Sequence, residues 1–374
     1  MSTGLFDGVV GQPLAVAILS SVLRKGVGHA YMFVGPRGVG KTEAALAFAA
    51  ALLCPERGCG CCEACRRARA GVHPDLVTIV PDGNFIHIGA IREINVDAAK
   101  RPYQAAVRVY LILDADAMNA AAANAFLKTL EEPPGHVRFI LVTNNPERLP
   151  QTIVSRCQRV PFSRIPVESL AAHLRDLFGL SEDDCRALAR VSQGDLRYAR
   201  EFVESKSMQD ARVRVLSQAC ALPGADFARE TAMVDEMMDV LEERQAQAVA
   251  VVEASREREL EWAGDARTRA WVEKTLNQRS KREKRAAMLA GVDEVIRGFA
   301  GWYRDLAVVA AGAEEVVHNV DYLDDLRLNA MPGLLNAYLA VVSVAERTRE
   351  RFRYNVDARC ALEDMVFSMK EALL

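Results

Sequence analysis

Residues 35–42 read GPRGVGKT, and this stretch limits the possible folds more than any other part of the chain. It fits the phosphate-loop pattern G-x-x-x-x-G-K-[ST], follows the apolar run YMFV and precedes the helix-forming run EAALAFAAALL. Glycines let the backbone adopt positive φ and turn its N–H groups towards phosphate oxygens. The sequence therefore predicts a strand, a loop and a helix that bind ATP through eight consecutive residues: Gly35, Pro36, Arg37, Gly38, Val39, Gly40, Lys41 and Thr42.

Two of these residues have side-chain roles in the motif. Lys41 would bring positive charge to the β and γ phosphates, and the Thr42 hydroxyl would coordinate Mg²⁺. The helix that starts at the loop would point its positive end at the phosphates.

Short apolar runs alternate with helix-period segments through the first 162 residues. The runs that we predict as strands are 31–34, 76–80, 109–113 and 139–143. Such alternation is typical of a parallel sheet with flanking helices, that is, of an α/β domain.

Strand signals disappear after about residue 163. Residues 164–208 suggest a few short helices, with a turn at SQGD (192–195). The remaining chain has apolar residues at helical spacing, for example Leu335, Leu339 and Val342, and is predicted to be all helix.

Composition excludes several classes of protein. At 374 residues the chain is long enough for two or three domains, and its net charge of -3 gives no global basic field. The N-terminus lacks a signal-peptide pattern, and no apolar run is long enough for a membrane span, so we expect a cytoplasmic protein with no membrane partner. The basic run RSKREKR (279–285) is interpreted as a solvated helix face, with contact to nucleic acid or an acidic partner as the alternative.

The third predicted strand leads into an unusual series, Leu113, Asp114, Ala115, Asp116. In ATP-hydrolysing P-loop proteins an acid at the end of such a strand helps to hold Mg²⁺. If Leu113 occupies that position, Asp114 is the one nearby carboxylate in line, a degenerate catalytic residue. We therefore expect ATP binding with little turnover.

Five of the nine cysteines lie between positions 54 and 65. Four of them, Cys54, Cys59, Cys62 and Cys65, have the spacing C-x4-C-x2-C-x2-C, which suits a tetrahedral zinc ion. Four protein ligands leave no open position, so the zinc would be structural. Free thiols are the alternative, and the spacing leaves open whether Cys61 takes the place of one of its neighbours.

The order of these motifs, with NAFLKTLEEPP (124–134) and TNNPERLPQTIVSRC (143–157), resembles the clamp-loader branch of the AAA+ ATPases. The resemblance implies a P-loop domain at 1–163 that contains a zinc module at 54–65, a helical lid at 164–208 and an all-helical collar at 209–374. It also implies partners: other loader subunits in a five-membered ring, a sliding clamp, and primed DNA reached through the complex.

The resemblance also assigns roles to individual residues. Arg156, in SRC, would act in trans as an arginine finger on a neighbouring subunit's ATP. Thr143 or Asn144 would be the first sensor residue, and Arg197, in QGDLRYAR, the second.

Departures from the family pattern bear on the type of subunit. A motor subunit normally carries two adjacent acids at the end of the third strand and often a long tail, and this chain has Leu113 and Asp114 there and stops soon after the collar. This favours a stator that lends Arg156 to its neighbour. The complete phosphate loop favours the alternative, a motor that hydrolyses ATP with Asp114.

Overall fold

The computed structural model forms two compact units, Met1–Arg200 and Glu201–Leu374. It describes residues 3–82, 85–262, 266–352 and 356–374. The first unit contains the sheet and the second is helical, which confirms the predicted fold class. The predicted domain bounds 1–163, 164–208 and 209–374 stay a prediction.

All the strands of the first unit run parallel in one sheet, in the order β2-β3-β4-β1-β5. Within the described ranges they are β1 (Ala30–Val34), β2 (Leu76–Ile79), β3 (Arg108–Ile112), β4 (Val137–Thr143) and β5 (Gln158–Pro161). Because the strands are parallel, their carboxyl ends meet at one edge, where ligands of open α/β sheets bind.

Four of these strands lie within two residues of the predicted runs, and the fifth was missed. β5 reads QRVP, and only Val160 in it is buried. It pairs with β1 alone and lies at the sheet edge, so its sequence lacks the continuous apolar run of a central strand.

Helices cover both faces of the sheet. On one face Phe48 makes an edge-to-face contact with Tyr31, with ring centroids 4.9 Å apart. On the other face Phe126 packs edge-on against Phe139 at 5.0 Å. The helices of the first unit are α1 (Pro13–Lys25), α2 (Lys41–Leu53), α3 (Glu63–Arg69), α4 (Ile88–Ala98), α5 (Ala120–Glu131), α6 (Gln151–Val154), α7 (Val167–Phe178), α8 (Glu182–Val191) and α9 (Leu196–Glu204), whose last residues enter the second unit.

The described part of the second unit is helical, as predicted. Its core is formed by large buried side chains such as Phe299, Trp302 and Tyr303. The helices are α10 (Lys206–Ala221), α11 (Phe227–Trp262), α12 (Ala266–Ala310), α13 (Leu323–Asn329), α14 (Leu335–Arg351) and α15 (Ala358–Leu373).

Among the described residues, no single helix has both the length and the hydropathy needed to cross a bilayer. One pair, Val320–Asn329 with Pro332–Arg351, passes that test jointly but is bent by 96°.

Candidate nucleotide site and cysteine cluster

The phosphate loop connects β1 to α2 at the carboxyl edge of the sheet. Gly38 and Gly40 have φ values of 70° and 85°, a region that side chains avoid. A Cβ on Gly35 would lie 2.3 Å from the carbonyl oxygen of Phe162, so this position also requires glycine. The backbone therefore has the geometry expected of an anion-binding loop at a helix N-terminus.

Lys41 is buried beneath the loop. Its Nζ donates to the Gly35 and Pro36 carbonyl oxygens and, at 2.8 Å, to Oδ1 of Asn144. Burial lowers the pKa of Lys41 to about 8, and the nearby Asp114 carboxylate opposes this shift. The ammonium group is thus held at the loop by neutral oxygens that a phosphate oxygen could replace.

The end of β3 is followed by a hydrocarbon side chain and then by a carboxylate that acts on this lysine. The strand ends at Ile112, and Leu113 is half-buried, with its N–H bonded to the Ile79 carbonyl oxygen at 2.9 Å. Asp114 is exposed and has a left-handed backbone, with φ 46°. Its Oδ1 accepts a hydrogen bond of 3.4 Å from Nδ2 of Asn144.

Asp116 is tied to the end of β4. The Thr143 hydroxyl donates to its Oδ1 at 2.6 Å, and Nδ2 of Asn145 donates to its Oδ2 at 3.2 Å. This carboxylate is therefore occupied in joining two strand ends, while Asn144 lies between Lys41 and Asp114.

Of the two sensor candidates, the geometry brings Asn144 rather than Thr143 to the lysine. Thr143 is buried and contacts Asp116 instead. Sequence reasoning left both open and did not foresee Asn145; the signal for all three was the polar run TNN directly after an apolar strand.

The turn before α9 lies against the phosphate loop. The N–H of Leu196 donates to the Gly38 carbonyl oxygen at 2.9 Å, and a Cβ on Gly38 would fall 1.8 Å from Oδ1 of Asp195. Asp195 also accepts from the N–H of Tyr198 and so starts α9. Sequence reasoning identified this turn but not the role of Asp195. Arg197, the second residue of α9, is exposed.

Arg156 lies on the surface, two residues after α6. Its guanidinium forms an ion pair of 2.7 Å with Glu131 and donates to the Thr152 carbonyl oxygen at 3.0 Å. Both side chains of the ion pair are partly solvated, so the pair contributes little to stability and can exchange partners.

The four predicted cysteines come together between α2 and α3, with their sulfur atoms all within 4.8 Å of one another. Sγ of Cys54 lies 3.7 Å from Sγ of Cys59 and 3.7 Å from Sγ of Cys62. Tetrahedral zinc with bonds of about 2.3 Å requires sulfur separations of roughly 3.8 Å. The donor set therefore fits a zinc ion.

The surrounding backbone favours the thiolate of Cys59, whereas burial raises the pKa of Cys65. The N–H groups of Cys61 and Cys62 lower the pKa of Cys59 to about 6. The N–H of Cys65 lies 3.4 Å from Sγ of Cys62. The exposed Cys61 lies outside the group of four, and the choice of the four ligands stays a prediction.

Comparisons with known proteins found similar chains. The family model described as DNA polymerase III, delta subunit, matches residues 11–166. The DNA polymerase III subunit delta' of Bacillus subtilis (strain 168) is 27% identical over 364 residues, which cover 96% of each chain.

Subunit tau is also similar to this chain. The tau of the same organism is 33% identical over 59% of this chain, and that of Escherichia coli (strain K12) is 32% identical over 69%. The chain spans 41% of the length of each tau.

Two solved structures from Thermotoga maritima are weakly similar to this chain. A DNA polymerase III gamma subunit-related protein has 17% identity and a TM-score of 0.40, with 96% of this chain and 100% of that one covered. The RuvB Holliday junction branch migration motor has 18% identity and a TM-score of 0.40, with 55% and 63% covered. Similarities this low add nothing on function. The end-to-end match to a delta' subunit and the matching family model show that the chain resembles the clamp-loader subunits of DNA polymerase III.

Proposed function

We propose that this chain is a delta-prime-type stator, which binds nucleotide, turns it over weakly and supplies an arginine finger to a neighbouring ATPase subunit. Its partners would be gamma/tau and delta subunits in a five-membered ring that loads a sliding clamp onto primed DNA. Support comes from the relative named delta', which matches through both compact units of this chain.

The observation that carries the stator assignment is the chemistry at the end of β3. The phosphates of ATP would be held by the backbone N–H groups of residues 37–41 and by the Lys41 ammonium group, and Mg²⁺ would be held by the Thr42 hydroxyl. When bound, the metal would neutralise charge on the transferring phosphate. The side chain at the strand end is the hydrocarbon of Leu113, Asp114 is turned to solvent, and Asp116 is already bonded to Thr143.

This arrangement supports binding more than hydrolysis. Phosphoryl transfer depends on charge neutralisation and on positioning of the attacking water, and both need carboxylates or polar groups at fixed places. A single exposed carboxylate on a left-handed turn supplies little of either. The phosphate loop is unaffected by this loss, so affinity for nucleotide would remain.

The exposed position of Arg156 supports a role in trans. Its present partner, Glu131, is half-exposed, and a phosphate of a neighbour's nucleotide would be a stronger partner for the same guanidinium. An arginine finger of this kind raises turnover by about 10³ to 10⁵ in other phosphoryl-transfer enzymes.

The test is ATP turnover of a reconstituted loader with one altered subunit. We expect Arg156→Ala to lower clamp- and DNA-stimulated turnover by at least about 100-fold, because the finger contribution is lost. Lys41→Ala in the same subunit should lower it by less than half. The matched control is Arg24→Ala, an exposed arginine at the end of α1, which should leave turnover unchanged.

The alternative is a gamma/tau-type motor that hydrolyses ATP itself. It is favoured by the intact phosphate loop and by the 32–33% identity to tau subunits. In that case Lys41→Ala would remove a large share of loader turnover, and Asp114→Asn would do the same.

A further inference from the structure

Helices α11 and α12 continue well beyond the core of the helical unit. The last core residue on α11 is Leu241, and the first fully packed one on α12 is Val292. Residues 242–262 and 266–291, which we call the arm, pack on each other along about 30 Å at 1.5 Å per residue. The arm has a small core of its own, formed by Val252, Leu260, Val272 and Leu276.

The two helices of the arm carry opposite charge. Residues 266–291 contain eight lysines and arginines and two acids, whereas residues 242–262 contain three basic residues and six acids. The whole chain has a net charge of -3, so positive charge is concentrated on one helix of a short segment.

The register of the arm places an uncharged stretch of α11 across from the centre of the basic run. Leu241 lies against Gly291, and Arg256 contacts Asn277, so the helices are antiparallel, and residues 281–285 lie opposite about 247–252. Residues 245–252 read QAQAVAVV and contain no charge. The acids of α11 lie further out, where Glu259 pairs with Arg279 at 3.4 Å.

The exposed face of this run carries charge and almost nothing else. Between 279 and 286 the exposed residues are Arg279, Lys281, Arg282, Lys284 and Ala286. Protein interfaces are usually centred on aromatic or large apolar anchors, which this face does not offer in the described residues. Phosphate backbones, by contrast, are bound by closely spaced lysines and arginines alone.

We propose that this basic face of the arm binds the phosphate backbone of DNA without reading its sequence. The contact is separate from the nucleotide site and does not depend on whether the subunit is a stator or a motor. Lys281, Arg282 and Lys284 would each contact a phosphate, as cations on a continuous helical surface.

The test uses the full chain and a fluorescein-labelled DNA duplex of about 30 base pairs, with binding followed by anisotropy at several salt concentrations. The triple change Lys281→Gln, Arg282→Gln, Lys284→Gln should weaken binding at low salt by about tenfold or more. It should also lower the slope of log K against log salt by roughly 2 to 3, since each phosphate contact contributes about 0.9.

The matched control removes three exposed arginines elsewhere in the helical unit: Arg229→Gln, Arg327→Gln and Arg359→Gln. Each of these is paired with an acid on the surface. The control loses the same net charge as the arm variant, because each removes three cations, but it leaves the arm unchanged. The control should bind DNA within a factor of two of the unaltered chain. Circular dichroism of both variants checks that they remain folded.

Three outcomes would overturn the proposal: no DNA binding by the unaltered chain at low salt, equal effects of the two triple changes, or no effect of the arm change. Polyglutamate of equal charge is the competitor that represents an acidic protein partner. If it displaces the duplex as well as unlabelled DNA does, the partner of the arm is an acidic protein and the DNA assignment is wrong.

Discussion

Charged groups at the edge of the sheet and charged groups on the arm are arranged in opposite ways. At the sheet edge, Lys41 is buried and bonded to three oxygens, and Asp116 is bonded to two side chains. On the arm, Lys281 and Lys284 are exposed on an uninterrupted helix. The first arrangement holds a few charged atoms at fixed positions, as a site for one small ligand requires. The second places several exposed cations along a helix, as contact with a long polyanion requires.

The largest expected effect is the loss of stability when the cysteine cluster loses its metal. It concerns the first unit, because the cluster lies at the end of α2, the helix that begins at the phosphate loop. Cys54→Ser should remove the bound metal and lower the free energy of unfolding by about 3 kcal/mol or more, since binding of a structural zinc adds to folding energy. Metal content and thermal unfolding are the measurements.

The control for this experiment is Cys61→Ser, which changes the one cysteine of the cluster that lies outside the group of four. It should keep one equivalent of metal and an unchanged melting temperature. If it lost the metal while Cys54→Ser kept it, the ligand set would be wrong.

The second prediction concerns Glu294, an ionisable residue that is buried in the helical unit outside the arm. Glu294 on α12 is buried and accepts from Arg244 at 2.6 Å. Burial raises its pKa from 4.5 to about 7, Arg244 opposes this, and Glu201 beyond Arg244 adds to it. Between pH 4.5 and 7 the folded chain therefore holds a proton that the unfolded chain has released, and the stability that this proton provides is lost as pH rises.

Comparison with Glu294→Gln isolates this titration. Relative to the glutamine variant, the unaltered chain should lose roughly 3 kcal/mol of unfolding free energy between pH 4 and pH 8, at about 1.36 kcal/mol per pKa unit. Denaturant unfolding at four or five pH values measures it. A constant difference between the two proteins would show that Glu294 titrates normally.

The smallest expected effects are changes in stability at two glycines of α12. They test how α12 packs in the helical core and at the start of the arm. In Gly298→Ala the new Cβ would lie 2.4 Å from Cγ1 of Val215, and we expect a loss of about 1 to 2 kcal/mol. In Gly291→Ala the nearest atoms, those of Leu241, are at 3.4 Å or more, so the higher helix propensity of alanine should add about 0.5 kcal/mol.

Denaturant unfolding of these two variants is the measurement, and each is the control for the other. Both glycines lie inside α12, so the same substitution in the same helix should change stability in opposite directions. Equal shifts would mean that α12 packs against Val215 of α10 and Leu241 of α11 differently from the arrangement described here.

The nucleotide loop and the central strands were predictable because each depends on neighbours in sequence. A phosphate loop needs glycines at fixed spacing, and β1, β3 and β4 are buried on both faces and therefore read as apolar runs. The same is true of the four cysteines, which lie within twelve residues.

Other features depend on contacts between segments that are distant in sequence, and they could not be predicted from the sequence. Asn144 meets Lys41 across 103 positions, and Asp195 lies against Gly38 only because the turn before α9 folds back on the loop. The acid-free stretch opposite residues 281–285 follows from the register of two long helices, which helical periodicity alone does not set.

The most direct test of the central claim is ATP turnover by the isolated chain beside its Lys41→Ala variant, with nucleotide binding measured on both. We predict that the unaltered chain binds ATP, that Lys41→Ala weakens this binding, and that the two proteins show the same background turnover. Turnover that clearly exceeds background in the unaltered chain, and that both Lys41→Ala and Asp114→Asn abolish, would contradict the account and make this subunit a motor.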